Sequence, residues 1–202
     1  MAKTNLAIFA SGSGTNAENI IRYFSKNPDV EVVLVLCNNA QAGVLDRARR
    51  LLVETHIFNN QELKDKTILH LLQQKKVNWV VLAGFLWRIP PHLVNAFPQR
   101  IINIHPALLP KFGGKGMYGM NVHKVVKAAG EIETGITIHY IDEAYDRGQI
   151  IFQAKAAVDA KDSAVDIAAK IHKLEMKHFP VIIEKEIRRA SKDSLRTDQT
   201  RV

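Results

Sequence analysis

One cysteine, Cys37, is all that the 202 residues contain. No internal disulfide is open to it, and within its apolar run the thiol reads as a small buried side chain rather than a nucleophile. Long hydrophobic runs are missing as well. Ile101–Pro110 is interrupted by Asn103 and His105, and no stretch approaches the ~20 apolar residues of a membrane helix. The opening residues, Met1–Asn5 and the short run Leu6–Ala10, lack the apolar core and small-residue cleavage site of a secretory leader, so the expected compartment is the cytoplasm and no membrane partner is expected. Acidic residues are absent from Lys66 to Gly130, a stretch that carries nine basic ones. The rest of the chain holds 19 basic and 20 acidic groups, so the net charge of +8 arises entirely in that stretch. Its lysines and arginines are spread thinly and are not interleaved with aromatics, which points away from nucleic acid and towards small anionic ligands. The eight histidines show no HxxxH or HExxH spacing and there is no cysteine pair, so no metal is expected.

What is present is an ordinary globular mixture, 47% apolar and 24% charged. It predicts a single domain over residues 1–190, followed by a polar tail, 191–202, that frays. Leu6–Ala10 reads as a short buried strand running into a glycine turn and then a helix over Ala17–Phe24. Val30–Cys37, rich in β-branched residues, has the pattern of a strand covered on both faces. A helix over Gly43–Leu52, a strand at His56–Phe58, one long helix over Asn60–Gln74, and strands at Trp79–Leu82 and Ile101–Ile104 follow. Strands alternating with helices predict an α/β fold with a doubly wound, mostly parallel sheet. Thr134–Ile141 and Gln149–Val158 then read as an antiparallel hairpin added at the C-terminal side. The amphipathic stretch Ser163–Ile187 predicts a helix that Pro180 kinks or divides.

Two places carry chemistry. The turn Gly12-Ser13-Gly14-Thr15-Asn16 joins a strand to a helix, where backbone N–H groups and the positive helix end suit a phosphate. A dinucleotide reading is weak, because the second strand ends in Cys37-Asn38-Asn39 rather than the acid that would hold ribose hydroxyls. Further on, Asn103 and His105 lie two apart on a buried strand and so share one side of it. Polar groups in such a place need partners or a task. A histidine can move protons near neutral pH, and an amide beside it can donate to an oxygen that becomes negative in acyl transfer. A carboxylate is required to hold that histidine, and spacing alone leaves Asp142, Glu143 and Asp146 all open.

Ser11–Asn16, Leu82-Ala83-Gly84-Phe85, Asn103-Ile104-His105-Pro106-Ala107-Leu108-Leu109-Pro110, then Gly135 and His139 ahead of Asp146-x-Gly148, together resemble the phosphoribosylglycinamide formyltransferase family over about residues 5 to 188. The resemblance implies the formyltransferase fold and transfer of a formyl group from 10-formyltetrahydrofolate, as co-substrate, to the amine of glycinamide ribonucleotide in purine biosynthesis. By position it makes Asn103, His105 and Asp146 the catalytic trio. Gly12, Ser13, Gly14, Thr15 and Asn16 become the phosphate loop, and Glu175 the acid that binds the substrate amine. The folate pocket falls to Gly84, Phe85, Leu86, Trp87, Arg88 and Ile89 with Asp142 and Glu143, and the Leu109–Pro110 bond is expected to be cis. Two departures stand out. Many relatives have Met-Arg-Ile after Gly-Phe where this chain has Leu86-Trp87-Arg88-Ile89, and the glycine-rich segment Lys111–His123 is longer than usual, suggesting a lid. Formyltetrahydrofolate deformylases and methionyl-tRNA formyltransferases use a similar trio but carry His and Gly, respectively, where this chain has Pro106. A non-catalytic nucleotide- or folate-binding module is the alternative outside enzymology, and the oligomeric state is left open.

Overall fold

Alternate residues of the first strand, β1 (Thr4–Ala10), serve two different cores. Leu6, Ile8 and Ala10 enter one, Ala7 and Phe9 the other, as expected when successive side chains leave a strand on opposite faces. The computed structural model describes residues 3–142 and 148–199. After β1 come α1 (Thr15–Phe24), β2 (Val30–Cys37), α2 (Gly43–Arg50), β3 (Thr55–Ile57), α3 (Asn60–Lys64), α4 (Thr67–Gln74), β4 (Val77–Leu82) and α5 (Pro91–Ala96). They are followed by β5 (Ile101–His105), α6 (Met120–Ala128), β6 (Glu133–Tyr140), β7 (Ile150–Ala157) and α7 (Ala164–Gln199).

The seven strands form one sheet in the order β3-β2-β1-β4-β5-β6-β7. β1 to β5 are mutually parallel, whereas β6 and β7 add antiparallel. The doubly wound sheet with its C-terminal hairpin is thus as the sequence predicts. Helices α1, α2, α6 and α7 cover one core, and α3, α4 and α5 the other. In β2 the register slips, Leu6 facing Val32 but Ala7 facing Leu34. Val33 and Leu34 consequently both pack towards the second core, a bulge that restores the alternation further along.

Two helical expectations need correction. The single helix over Asn60–Gln74 is two, because Lys66 stands in the left-handed region at φ 72 and cannot continue a helix. Asp65 then starts the second by accepting from Thr67 N and Oγ1 at 3.1 and 2.7 Å. Of the two outcomes expected at Pro180, division does not occur, since α7 runs on through it. A proline lacks the N–H that would bond the carbonyl four residues back, here that of Met176. The Asn19 side chain of α1 donates to that carbonyl at 2.8 Å, so the vacancy in the ladder is filled from a neighbouring helix. Residues 120–123 of the expected lid segment open α6. The Leu109–Pro110 bond is cis.

Gly135, on β6, lies against the backbone of β7. A Cβ there would overlap the Ala154 carbonyl oxygen and come within 2.6 Å of Leu108 Cδ2. Neither obstacle is a free side-chain end, so Gly135→Ala is expected to destabilise the protein by about 2–3 kcal/mol. Thermal unfolding followed by circular dichroism should show Tm lowered by roughly 5–10 °C, and an unchanged Tm would refute this packing.

Candidate active site

β1 continues to β2 on one side while β4 lies on its other side, and at such a switch the carboxyl ends of the strands leave a crevice. The crevice is a cleft of about 620 Å³, within the range of small-molecule sites. Gly12–Asn16 enter it after β1, Leu82–Ile89 after β4 and Asn103–Pro106 at the end of β5. The loop 114–119 with Met120 and His123 of α6 forms another wall, and Ile141, Asp142 and the α7 residues Ala168, Ile171, His172 and Glu175 complete it.

The glycine turn is held from behind by α2. Val44 N donates to Gly12 O at 3.1 Å and Arg47 Nε to Ser13 O at 2.8 Å. Arg47 also pairs with Glu18 of α1, and hydrogen bonds from Arg22 and then from Arg47 hold the Glu18 carboxyl below its ordinary pKa. Gly14 has φ +79, and a Cβ on it would lie 2.5 Å from Val44 Cβ, so only glycine permits this approach. With its carbonyls bonded to α2, the turn presents the N-terminus of α1 to the cleft.

At the end of β5 the side chains of Asn103 and His105 both reach the cleft. His105 is 3% exposed, and its Nε2 lies 2.7 Å from Phe112 O. A carbonyl only accepts, so Nε2 carries a proton. Opposite Asn103 on β6 stands His139, fully buried, with Asn103 Nδ2 and His139 Nε2 at 3.0 Å. His139 Nδ1 lies 2.9 Å from Tyr140 O and must donate to it, which leaves Nε2 as the acceptor. The Asn103 amide is thereby turned with its NH₂ towards His139, and its second N–H is available to the cleft.

Glu175, on α7, accepts from Asn16 Nδ2 at 2.9 Å and from His172 Nδ1 at 3.3 Å. The hydrogen bond to this carboxylate raises the His172 pKa above its ordinary value, outweighing partial burial. On the side of β4, Phe85 and Trp87 meet edge-on with centroids 6.3 Å apart, and Phe58 packs against both. Leu86 N donates to Ser11 Oγ at 3.0 Å, tying this aromatic wall to the glycine turn. The result is one cleft with a glycine turn that opens a helix, a carboxylate, an amide–imidazole pair and an aromatic wall.

The formyl transferase family model matches residues 4–183. The phosphoribosylglycinamide formyltransferase of Bacillus subtilis is 37% identical over 184 residues, 88% of this chain and 92% of that protein. The chain belongs to the phosphoribosylglycinamide formyltransferase family. A chloroplastic member from Arabidopsis thaliana is 38% identical over 197 residues, 92% of this chain and 68% of that longer protein. Among solved structures, the member from Bacillus halodurans superposes with a TM-score of 0.82 at 33% identity, covering 90% of this chain and 94% of that one. Membership implies a folate-type one-carbon donor and small-molecule substrates. Among the described residues no helix is long and apolar enough to cross a membrane.

Every sequence-predicted site residue of this formyltransferase that is described lines the one cleft: Gly12 to Asn16, Gly84 to Ile89, Asn103, His105, Asp142 and Glu175. Glu143 and Asp146 lie outside the described residues. Sequence reasoning missed His123 and His172, since apart from His105 and His139 it searched the histidines only for metal spacing. The available signals were a histidine beside Val122 and Val126 on the buried face of α6, and one placed three residues before Glu175 on α7.

The two missed histidines should titrate in opposite directions. His172 is raised by Glu175, and His123 is lowered by burial. NMR titration should therefore place His172 above and His123 below the ordinary value of about 6.5, and Glu175→Gln should bring His172 down. The stabilisation from the His172–Glu175 pair is fully present below the unfolded histidine value and is lost as pH rises through the raised folded one. Coincident titration of the two rings would contradict the geometry.

Proposed function

We infer that the protein transfers a formyl group from 10-formyltetrahydrofolate to the primary amine of glycinamide ribonucleotide, a step of purine biosynthesis. The observation that carries the reading is the Asn103 amide, oriented by His139 with an N–H left for the cleft and set beside the His105 imidazole. Acyl transfer needs fixed donors where an oxygen becomes negative.

The glycine turn and the N-terminus of α1 receive the phosphate of the ribonucleotide. Glu175, already an acceptor for Asn16 and His172, receives N–H groups of the amine substrate. Phe85, Leu86, Trp87 and Ile89 wall the folate ring system, while the backbone of Gly84–Arg88 offers it hydrogen bonds. As the uncharged amine attacks the formyl carbon, Asn103 donates to the developing oxyanion and the charged His105 stabilises it electrostatically. Phe112 O fixes the ring from one side, and Asp146 holds it as the carboxylate partner. The proton lost by the amine passes by way of water to the departing folate nitrogen. Arg88 and Asp142, with Glu143, belong to the folate side of the cleft.

His105→Ala and Asn103→Ala should each lower formyl transfer by about 10²-fold or more, the usual loss for a positioned proton-transfer or oxyanion group. Binding of both substrates, measured calorimetrically, should be largely retained. The assay follows tetrahydrofolate release by absorbance, and omission of the amine should abolish it. Turnover without the amine would indicate a deformylase, and a His105→Ala enzyme at near-wild-type rate would remove that residue from the mechanism.

A further inference from the structure

Phe9 and Leu82 are the last facing pair of β1 and β4. Past them the two chains are tied once more by backbone, Ala83 N donating to Phe9 O at 2.9 Å, and then by a single residue. Ser11 N donates to Gly84 O at 3.1 Å, and Ser11 Oγ accepts from Leu86 N at 3.0 Å. From there the chains go on to line the cleft, one as Gly12–Asn16 and the other as Gly84–Ile89. Ser11 itself is 8% exposed and lines none of it.

Each segment has a further anchor of its own. The turn is held by α2, through Val44 N on Gly12 O and Arg47 Nε on Ser13 O. The loop is held to the second core by its rings, Phe85 on Phe9 at 5.3 Å and both Phe85 and Trp87 on Phe58 at 6.0 Å. Of these anchors only Ser11 is common to both segments. The Leu86 side chain is half-exposed, so packing does not fix the backbone at that point, and its N–H takes the serine hydroxyl as acceptor. A hydroxyl in so buried a place costs stability unless it is bonded, and an alanine of nearly the same size would fill the space. What the hydroxyl adds is a fixed distance between the two segments.

We propose that Ser11 is a positioning residue for formyl transfer, its hydroxyl setting the spacing between the loop that walls the formyl donor and the turn that takes the acceptor's phosphate. This rests on the transferase reading above. The acceptor is placed from its phosphate end and the donor from its ring system, so the approach of the amine to the formyl carbon depends on how those two supports stand to one another. Reaction between two held groups is sensitive to displacements on the order of 1 Å. Loss of the hydroxyl frees the loop while α2 keeps the turn in place, so the effect falls on the donor and on turnover, not on acceptor binding.

The test compares wild type, Ser11→Ala and Ser11→Thr by steady-state kinetics, by calorimetric binding of glycinamide ribonucleotide alone, and by amide hydrogen exchange. In Ser11→Ala, KM for 10-formyltetrahydrofolate should rise roughly three- to tenfold, the scale of one lost hydrogen bond, and kcat should fall about tenfold or more. Kd for the ribonucleotide should stay within about twofold, and Tm should drop by no more than about 4 °C. Exchange should quicken at Leu86 and stay as it was at Ala83, whose acceptor is the Phe9 carbonyl. Ser11→Thr, which keeps the hydroxyl, should recover most of the lost activity. Unchanged kcat and donor KM in Ser11→Ala overturn the proposal, as does unchanged exchange at Leu86. A parallel weakening of both substrates with a larger fall in Tm also overturns it, since that marks a general structural role. Wild-type protein that transfers no formyl group overturns the transferase reading and this inference with it.

Discussion

Antiparallel pairing of β6 on β5 sets Asn103 opposite His139 and His105 opposite Thr137, and the cleft depends on those two facing pairs. The first fixes which end of an amide looks into the cleft. The second works through the chain that follows β5. Buried Thr137 Oγ1 donates to Ala107 O at 2.7 Å and accepts from Leu109 N at 2.9 Å, while Gln153 of β7 donates to Leu109 O at 3.0 Å. Pinned in this way, the chain turns back to bring Phe112 O to the imidazole it has just left. A slip of one residue would send both polar side chains of β5 to the opposite core, so the hairpin shapes the cleft and is not an appendage to the parallel sheet.

A second set of contacts carries α7 to the same place. Tyr140, next to His139, donates to Glu186 at 2.5 Å, and Arg189 bonds both the phenol oxygen and that carboxylate. Burial, together with the neighbouring carboxylate, pushes the phenol pKa up, so the phenol keeps the proton it donates at neutral pH. The network ties the far half of α7 to β6, and Asn16 ties its near half to α1. Glu175 is thus positioned by the strand that orients the Asn103 amide and by the helix that follows the glycine turn.

Much of this was legible in the residues. β-branched runs and strand–turn–helix punctuation yield the parallel strands, and simple alternation along β5 predicts that Asn103 and His105 act together. What escaped depended on contacts made across the fold. The break at Lys66 is a single left-handed residue with no glycine to announce it. Nothing local shows that Pro180 would be tolerated, because the donor that replaces its missing hydrogen bond lies on α1. His123 looks like an ordinary core histidine until a cleft is found beside it. The +8 charge was informative only in its distribution, since it suggested anionic ligands without locating the turn, carboxylate and imidazoles that would receive them.

The helix that carries Pro180 has a consequence for alignment. Asn16 and Asn19 stand one turn apart on α1, and their targets, the Glu175 carboxylate and the Met176 carbonyl, are neighbours on α7. With no amide hydrogen at position 180, the Met176 oxygen has no donor from its own helix and is left to Asn19 of α1. The ring nitrogen of one imino acid therefore acts as a docking notch, indexing two helices so that the pocket's acid and its glycine-bearing corner meet at a set spacing.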